Sequence, residues 1–525
     1  MAASGRTLPL ASGYVFLALL SLMLGAAGSW LGGFPQPMVH DEFAQLLAGQ
    51  TFASGRLSNP SPPEPAHFEV FHVLVEPTYA AKYPPGPGLA LAAGIILGHP
   101  LIGVWASCAA AACALVWMLR RWTESRWAWA MGGVFVLMHS AFSVHGQSMM
   151  LTSLAITGSC LLWGALAGRP ALPPFRLGLI AGSGLALLGL CRPFEGLVVA
   201  VPASLAAAWT AWNWRREGRS SWAWAAACGG LLPLLAFAGI TLAHNHSVTG
   251  SPLQFPYTLY ERQYNPAPLF LHQPLRAPER PPPDTAAAAY WNGYVRGLHS
   301  ERGAMSLTTR LGERVVLCMY GAFMPSVAGI LLVFALFRLR HPRVAVAWGI
   351  LGWFIAATSL TVSGIPRYSA PVLPVAFFLM AASLGWLAAR PWGRRTLAAA
   401  AVFFTASLLL QVFWLLRDPV PEFTAQRRSI EARLRGGGPD LVLVRYGPGH
   451  NYLHEWIYNG PDLLRQDLVW ARDLGPQANA RLVRHFPNHR FWRLTVEAAP
   501  AAPRLEPLSP EWDVLPAAPT SGPDS

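Results

Sequence analysis

The chain has 525 residues, 53% of them hydrophobic and only 12% charged, with 39 Lys and Arg against 26 Asp and Glu for a formal charge of +13. A soluble domain carries about 25% charged residues, so this composition, with a mean hydropathy of +0.34, excludes a soluble or secreted globule and assigns the chain to lipid. The positive charge does not imply nucleic acid, because the arginines fall in short clusters between apolar runs, as in the cytoplasmic loops of bacterial-type membrane proteins.

Apolar runs suited to crossing about 30 Å of hydrocarbon extend over 11–31, 101–119, 151–167, 222–243, 319–337, 346–362, 371–389 and 397–416. The first follows Arg6 and has no small-x-small cleavage pattern before Gly33-Phe34-Pro35, so it reads as a retained helix rather than a signal peptide. Arginine clusters at 120–126, 169–176, 215–219, 338–343 and 390–395 separate the runs, and the chain breaks at His145-Gly146-Gln147, Cys191-Arg192-Pro193 and Gly364-Ile365-Pro366. With every cluster cytoplasmic, the expected fold is an all-α polytopic membrane protein of about 11 transmembrane helices, range 11 to 13, with its N-terminus inside. The range reflects Gly86–Leu119, too long for one comfortable span and interrupted at Gly98-His99-Pro100.

The expected domains are a membrane domain over 1–417 with external loops at 32–87 and 244–313, an external soluble α/β module over 418–500, and a disordered Pro-, Ala- and Ser-rich tail over 501–525. In the second loop, Asp284–Leu298 reads as a short interfacial helix. In the module, Ser429–Leu434 ends a helix, and strands are expected at Asp440–Val444, Leu482–Val483 and Phe491–Val496. The six cysteines lie in or beside apolar runs as packing residues, without a close pair.

Apart from Arg192 and Glu195, few ionisable residues fall near the centres of the runs, which argues against an ion path. Those two, three positions apart, are expected to pair on one helix face. His40-Asp41-Glu42 opens a stretch that reads as a short helix. Asp41 is either a helix-start carboxylate or a base that takes the proton of an attacking hydroxyl; Glu42 is its companion, binding the acceptor or orienting the site. Lys82, the only lysine in the chain, offers a compact charge suited to phosphate or a snorkelling interfacial anchor. Arg367, beside Tyr368 on a late external turn, is the second phosphate-clamp candidate.

Tyr79, Tyr83, Glu69, Glu76, Gln147 and Tyr368 are candidate substrate contacts, and the aromatic residues of the second loop are either sugar platforms or an interfacial belt. No cofactor is required. A divalent metal is optional, with His40, His67, Glu69 and His72 as donors, although neither helix nor strand gathers His67, Glu69 and His72, so ordinary loop hydrogen bonding competes with ligation. Tyr446, His450, His454, Glu455 and Trp456 are weaker candidates for acceptor recognition.

His40-Asp41-Glu42 directly after the first apolar run, Tyr79-Ala80-Ala81-Lys82-Tyr83-Pro84-Pro85 entering the next, and Arg367-Tyr368 before Pro371 and Pro374 together resemble the GT-C membrane glycosyltransferases. They are most similar to the family 39-like bacterial relatives of protein O-mannosyltransferases and of the lipid A aminoarabinose transferase. Asn59-Pro60, His67-Phe68-Glu69, Tyr446-Gly447-Pro448, Glu455-Trp456-Ile457-Tyr458-Asn459 and Trp470-Ala471-Arg472-Asp473 resemble one bacterial branch, whereas Gly146-Gln147-Ser148 lacks the flanking aromatics of that branch.

The resemblance implies transfer of a sugar, with inversion, from a polyprenyl-phosphate donor to an unidentified cell-envelope acceptor on the outer face of a bacterial inner membrane. It assigns Asp41 as base, Glu42 as companion, and Lys82 and Arg367 to the donor phosphate; lipid is a partner and nucleic acid is not. Two rival classes stand beside it. A transporter or flippase would move the lipid-linked sugar without making a bond, and a noncatalytic scaffold would tolerate loss of Asp41 and Lys82.

Overall fold

A computed structural model describes residues 10–167, 172–322, 325–417, 422–498 and 501–508. Hydrocarbon offers the backbone no hydrogen-bond partner, so the apolar runs fold as helices that satisfy themselves. α1 (Leu10–Leu31) leads to α2 (His40–Ala53) and to a small antiparallel sheet of β1 (Asn59–Pro60), β2 (Val73–Leu74) and β3 (Thr78–Ala81), ordered β1-β3-β2. α3 (Pro85–Ile96), α4 (Pro100–Trp122), α5 (Ser125–His139), α6 (Val144–Gln147), α7 (Thr152–Ala165), α8 (Pro174–Cys191), α9 (Pro193–Arg216) and α10 (Ser220–Thr249) follow. Proline opens α3, α4, α8 and α9, at the position where its missing N–H deprives the helix of nothing.

The second loop holds α11 (Pro256–Tyr264), then α12 (Thr285–Ala288), a π-helical turn over Ala289–Val295 and α13 (Arg296–Ala304), which run on without a break, so the helix expected over Asp284–Leu298 is present, widened by the π turn and continued to Ala304. α14 (Leu307–Ala322), α15 (Pro325–Leu336), α16 (Pro342–Thr358), a 3-10 turn over Pro366–Val372, α17 (Leu373–Ala388) and α18 (Gly393–Arg417) complete the membrane part.

The chain is a polytopic all-α membrane protein with a soluble module, but the helix count differs from expectation. Among the described residues only 7 helices are long and apolar enough to cross a membrane, not 11 to 13: Leu10–Leu31, Pro100–Trp122, Pro174–Cys191, Pro193–Arg216, Ser220–Thr249, Pro366–Ala388 and Gly393–Trp414. Breaks inside apolar runs account for the difference. The 12 residues of α3 reach about 18 Å at 1.5 Å per residue, because Gly98-His99-Pro100 ends them. The 14 residues of α7 reach about 21 Å and the 17 of α16 about 25 Å, both below the hydrocarbon thickness. The run over 319–337 contains 323–324, which lie outside the described residues, so α14 and α15 are counted on their described parts alone.

Helices pack where small residues let backbones touch. A Cβ on Gly178 of α8 would lie 1.8 Å from the Ala226 carbonyl oxygen of α10, and one on Gly229 of α10 would lie 2.1 Å from the Phe175 oxygen of α8. α4 and α17 are central and mostly buried, whereas α10 and α18 turn their apolar side chains outward, as lipid requires.

The module comprises α19 (Glu422–Leu434), β4 (Asp440–Tyr446), β5 (Leu468–Arg472), α20 (Pro476–Val483), β6 (Arg490–Val496) and β7 (Arg504–Pro507), with sheet order β5-β4-β6-β7. β4 is parallel to β5 and β6, and Leu441-Val442-Leu443-Val444 is buried throughout, as a central parallel strand demands. Leu482 and Val483 end α20 rather than forming a strand, because Pro476 starts a helix that buries Asn479 and Leu482 on one face. β7 pairs with β6 inside the segment expected to be disordered, and 509–525 lie outside the described residues. The module shares one core with the first loop, in which Phe43, Leu47, Phe68 and Tyr79 pack with Leu443, Trp456 and Trp470.

Gly178→Leu is expected to lower the thermal unfolding midpoint in detergent by several degrees, through overpacking of about 1–3 kcal/mol. Gly239→Leu, at a position of α10 open within 4 Å, is expected to leave it nearly unchanged in the same scan.

Candidate active site

Successive residues of a helix point about 100° apart, and the first turn of α2 uses this to send three side chains to three destinations. His40 faces the module, with Nε2 2.6 Å from the Tyr452 carbonyl and Nδ1 2.8 Å from the Tyr458 hydroxyl. A carbonyl only accepts, so Nε2–H donates to it, and Nδ1 accepts the Tyr458 proton. Glu42 faces the other way, accepting from Ser148 Oγ at 2.7 Å, the Met149 amide at 3.2 Å and the Met38 amide at 3.0 Å. Asp41 lies between them. Its carboxylate makes no helix cap; it accepts the Tyr83 hydroxyl proton and pairs with Arg367 Nη2 at 3.0 Å.

Three distant segments build the remainder. The bend directly after β3 delivers Lys82 and Tyr83, the 3-10 turn at Pro366 delivers Arg367 and Tyr368, and α11 delivers Tyr257, Tyr260 and Glu261. Lys82 is buried; its Nζ pairs with Glu261 at 2.8 Å and lies 4.5 Å from the Tyr260 ring centre, 4.7 Å from that of Tyr257 and 5.7 Å from that of Tyr83. Tyr83 therefore spans the gap from the lysine to Asp41. Glu261 is absent from the sequence-derived candidates, and Tyr257 and Tyr260 enter them only among the aromatic residues of the second loop, although the i, i+3, i+4 spacing of the three on an amphipathic helix marks one face.

Burial by itself would raise the Asp41 proton affinity, but Arg367, then His72, the Tyr83 hydrogen bond and Lys82, outweigh it and hold the carboxyl well below the usual range. Glu42 is shifted up by burial, against its three hydrogen bonds. Burial, reinforced by Lys82, keeps His72 well below the ordinary imidazole range, and burial lowers His40 as well.

The other sequence candidates are dispersed. Tyr79 is buried and donates to the Asn459 carbonyl at 3.3 Å. Glu69 and Glu76 share Arg280, which braces the first loop against the second. Gln147 ties α1 to the end of α5 through Ser29, the Gly25 carbonyl and the Ser140 carbonyl. With Glu42, His139, Gln411 and Trp414, it lines a cleft of about 500 Å³ behind α2. The proposed metal donors do not gather: His67 bonds Asn479, Glu69 bonds Arg280, both nitrogens of His40 are engaged, and no group of three or more His, Cys, Asp or Glu among the described residues is arranged to hold an ion. Arg192 does not pair with Glu195; its guanidinium lies over the Tyr368 ring, 4.7 Å from the centre.

The module is locked over this region by Arg472, which is buried, pairs with Asp284 of the second loop, sits 3.5 Å from Glu455, and donates to the Glu69 carbonyl of the first loop at 2.8 Å. Tyr458 stacks on Phe43 at 3.8 Å between ring centres.

No protein-family model and no curated protein matches the chain in sequence. Among solved structures, ArnT from Cupriavidus metallidurans in the apo state is similar with a TM-score of 0.51 at 14% identity, covering 93% of each chain. The same protein bound to undecaprenyl phosphate gives 0.49 at 14% identity and 93% of each chain. The apo oligosaccharyltransferase of Archaeoglobus fulgidus gives 0.43 at 13% identity, with 84% of this chain matched to 59% of that one, so the chain spans under two thirds of its length. At such identity the similarity speaks to fold alone: the chain shares the fold of ArnT.

Because burial depresses the His40 proton affinity, the unfolded chain takes up that proton first. The stabilisation is complete above the unfolded value of about 6.5 and is lost as pH falls below it. Lowering pH from 7.5 to 5.5 is expected to reduce amide hydrogen-exchange protection over 452–458, taken relative to the intrinsic rate at each pH, and His40→Gln is expected to remove the part of that loss that the burial-lowered His450 and His454 do not supply.

Proposed function

We propose that the chain is a polyprenyl-phosphate-sugar-dependent glycosyltransferase, family 39-like, which moves a sugar to a cell-envelope acceptor with inversion. It would work on the outer face of a bacterial inner membrane, with its N-terminus cytoplasmic. The observation that carries this is the convergence of Asp41, Lys82 and Arg367, from three separate segments, around Tyr83. The motif resemblance and the ArnT fold support the same assignment.

In the resting arrangement Asp41 is a poor base, because Arg367 holds its proton affinity down. A donor phosphate competes with Asp41 for Arg367 and with Glu261 for Lys82. Once those cations turn to phosphate oxygens, Asp41 keeps only the Tyr83 hydrogen bond and its basicity rises. The acceptor oxygen then attacks the anomeric carbon and gives its proton to Asp41. The bond from that carbon to the phosphate oxygen breaks, and its electron pair leaves with the polyprenyl phosphate, whose growing charge meets Lys82 and Arg367. Tyr83 orients the base, and Glu42 holds α2 against the Ser148 turn. No step is routed through a metal, since the candidate donors are spread over separate contacts.

Asp41→Asn is expected to lower kcat about 10²–10⁴-fold with the fold intact, while Lys82→Ala and Arg367→Gln raise the donor KM. The assay is mass spectrometry of products from defined polyprenyl-phosphate sugars and envelope acceptors. Wild-type protein that translocates the lipid without forming a glycosidic bond, or a folded Asp41→Asn variant with full transfer, would refute the assignment.

A further inference from the structure

Three cations surround this site, and two of them are already spoken for. Arg367 is held by Asp41 at 3.0 Å and Lys82 by Glu261 at 2.8 Å. Arg192 is different. It occupies the junction between α8 and α9, half-buried, and its side chain has no ion pair or hydrogen bond among the described residues; its guanidinium lies over the face of Tyr368, 4.7 Å from the ring centre.

The same ring has the Arg367 guanidinium 5.6 Å from its centre, so two guanidinium groups share one phenol. The junction is also pressed against the segment that carries Lys82. A Cβ on Gly86 would lie 2.7 Å from the Leu190 carbonyl and 2.8 Å from Cys191 Sγ, so only glycine lets the end of α8 approach the start of α3 this closely. Arg192 therefore shares a ring with Arg367, and the junction that carries it packs against the start of the helix that follows Lys82.

A half-buried charge without a partner is unfavourable unless a ligand supplies one. An anion reaching Lys82 or Arg367 must first displace a carboxylate, whereas Arg192 is available at once. The positive end of the α9 dipole lies at the same place and adds to the field.

We propose that Arg192 is a third phosphate-binding residue, and that it captures the phosphate of the lipid-linked substrate before Lys82 and Arg367 exchange their carboxylates for it. This rests on the proposed use of a lipid-linked phosphate but not on the transfer step. Capture by Arg192 gives the order of events: the phosphate is first held beside Tyr368, then drawn toward Arg367, and the release of Asp41 follows binding rather than preceding it. Base activation is thereby tied to an occupied site.

The test uses the full chain in detergent at low salt, with farnesyl phosphate as probe, farnesol as the uncharged control and inorganic phosphate as competitor. Arg192→Gln is expected to weaken farnesyl phosphate binding about tenfold or more, chiefly through a slower association rate, while farnesol binding and the unfolding midpoint stay unchanged. Arg192→Lys is expected to recover part of the loss. Unchanged farnesyl phosphate association in folded Arg192→Gln would overturn the proposal. So would equal weakening of farnesol, or a common fall in unfolding midpoint for the Gln and Lys variants, each of which marks a packing role. Inorganic phosphate competing at the same concentration as farnesyl phosphate would overturn the lipid-linked assignment. Because binding is the readout, Arg192-dependent capture in a protein that transfers no sugar would sink the glycosyltransferase assignment and leave this one standing.

Discussion

The ion pair between Asp41 and Arg367 joins residues 326 positions apart, and most of the site is arranged around it. Asp41 can stay ionised away from bulk water only because Arg367 and the Tyr83 hydroxyl compensate it, and Arg367 can sit at the edge of an apolar bundle only because Asp41 is there. The pair fixes the first loop against the turn before α17, and so sets the distance between a carboxylate and the cations that neighbour it. A group that displaced one partner would change the chemistry of the other, and binding becomes coupled to basicity through ordinary electrostatics.

The pair is partly shielded from water, and the module and the two loops are tied together beside it. Arg472 reaches Asp284, Glu455 and the Glu69 carbonyl, so one buried guanidinium holds three chain segments together. Breaking such a buried arrangement from one side typically destabilises by about 3–5 kcal/mol, because the remaining charges have no solvent to turn to. His40, one residue from Asp41, is the mechanical link: its ring accepts from Tyr458 and donates to Tyr452, so the angle of α2 depends on the docked module.

Much of the site was legible in the sequence, for identifiable reasons. A single lysine in an arginine-rich chain stands out, and so does a His-Asp-Glu triplet directly after a long apolar run. Their partners were not legible. Glu261 looks like an ordinary polar residue of an amphipathic helix, and Asp284 lies 188 positions from Arg472, so neither pairing has a local signature. Glu42 shows the limit of adjacency, since one step along a helix turned it toward Ser148 and away from its neighbour's site. The membrane part was legible as a class but not as a count: apolar run length does not reveal where Gly98-His99-Pro100 divides a run and leaves a helix too short to cross. Leu482-Val483 has strand-like composition, yet the helix started by Pro476 decided its conformation.

The most direct test is a structure of the protein with a polyprenyl phosphate bound. Arg367 is expected to leave Asp41 and contact phosphate oxygens at charge-assisted distances of about 2.7–2.9 Å, with Asp41 still bonded to Tyr83. A bound phosphate with the Asp41–Arg367 pair intact, or a phosphate seated away from Lys82 and Arg367, would contradict it.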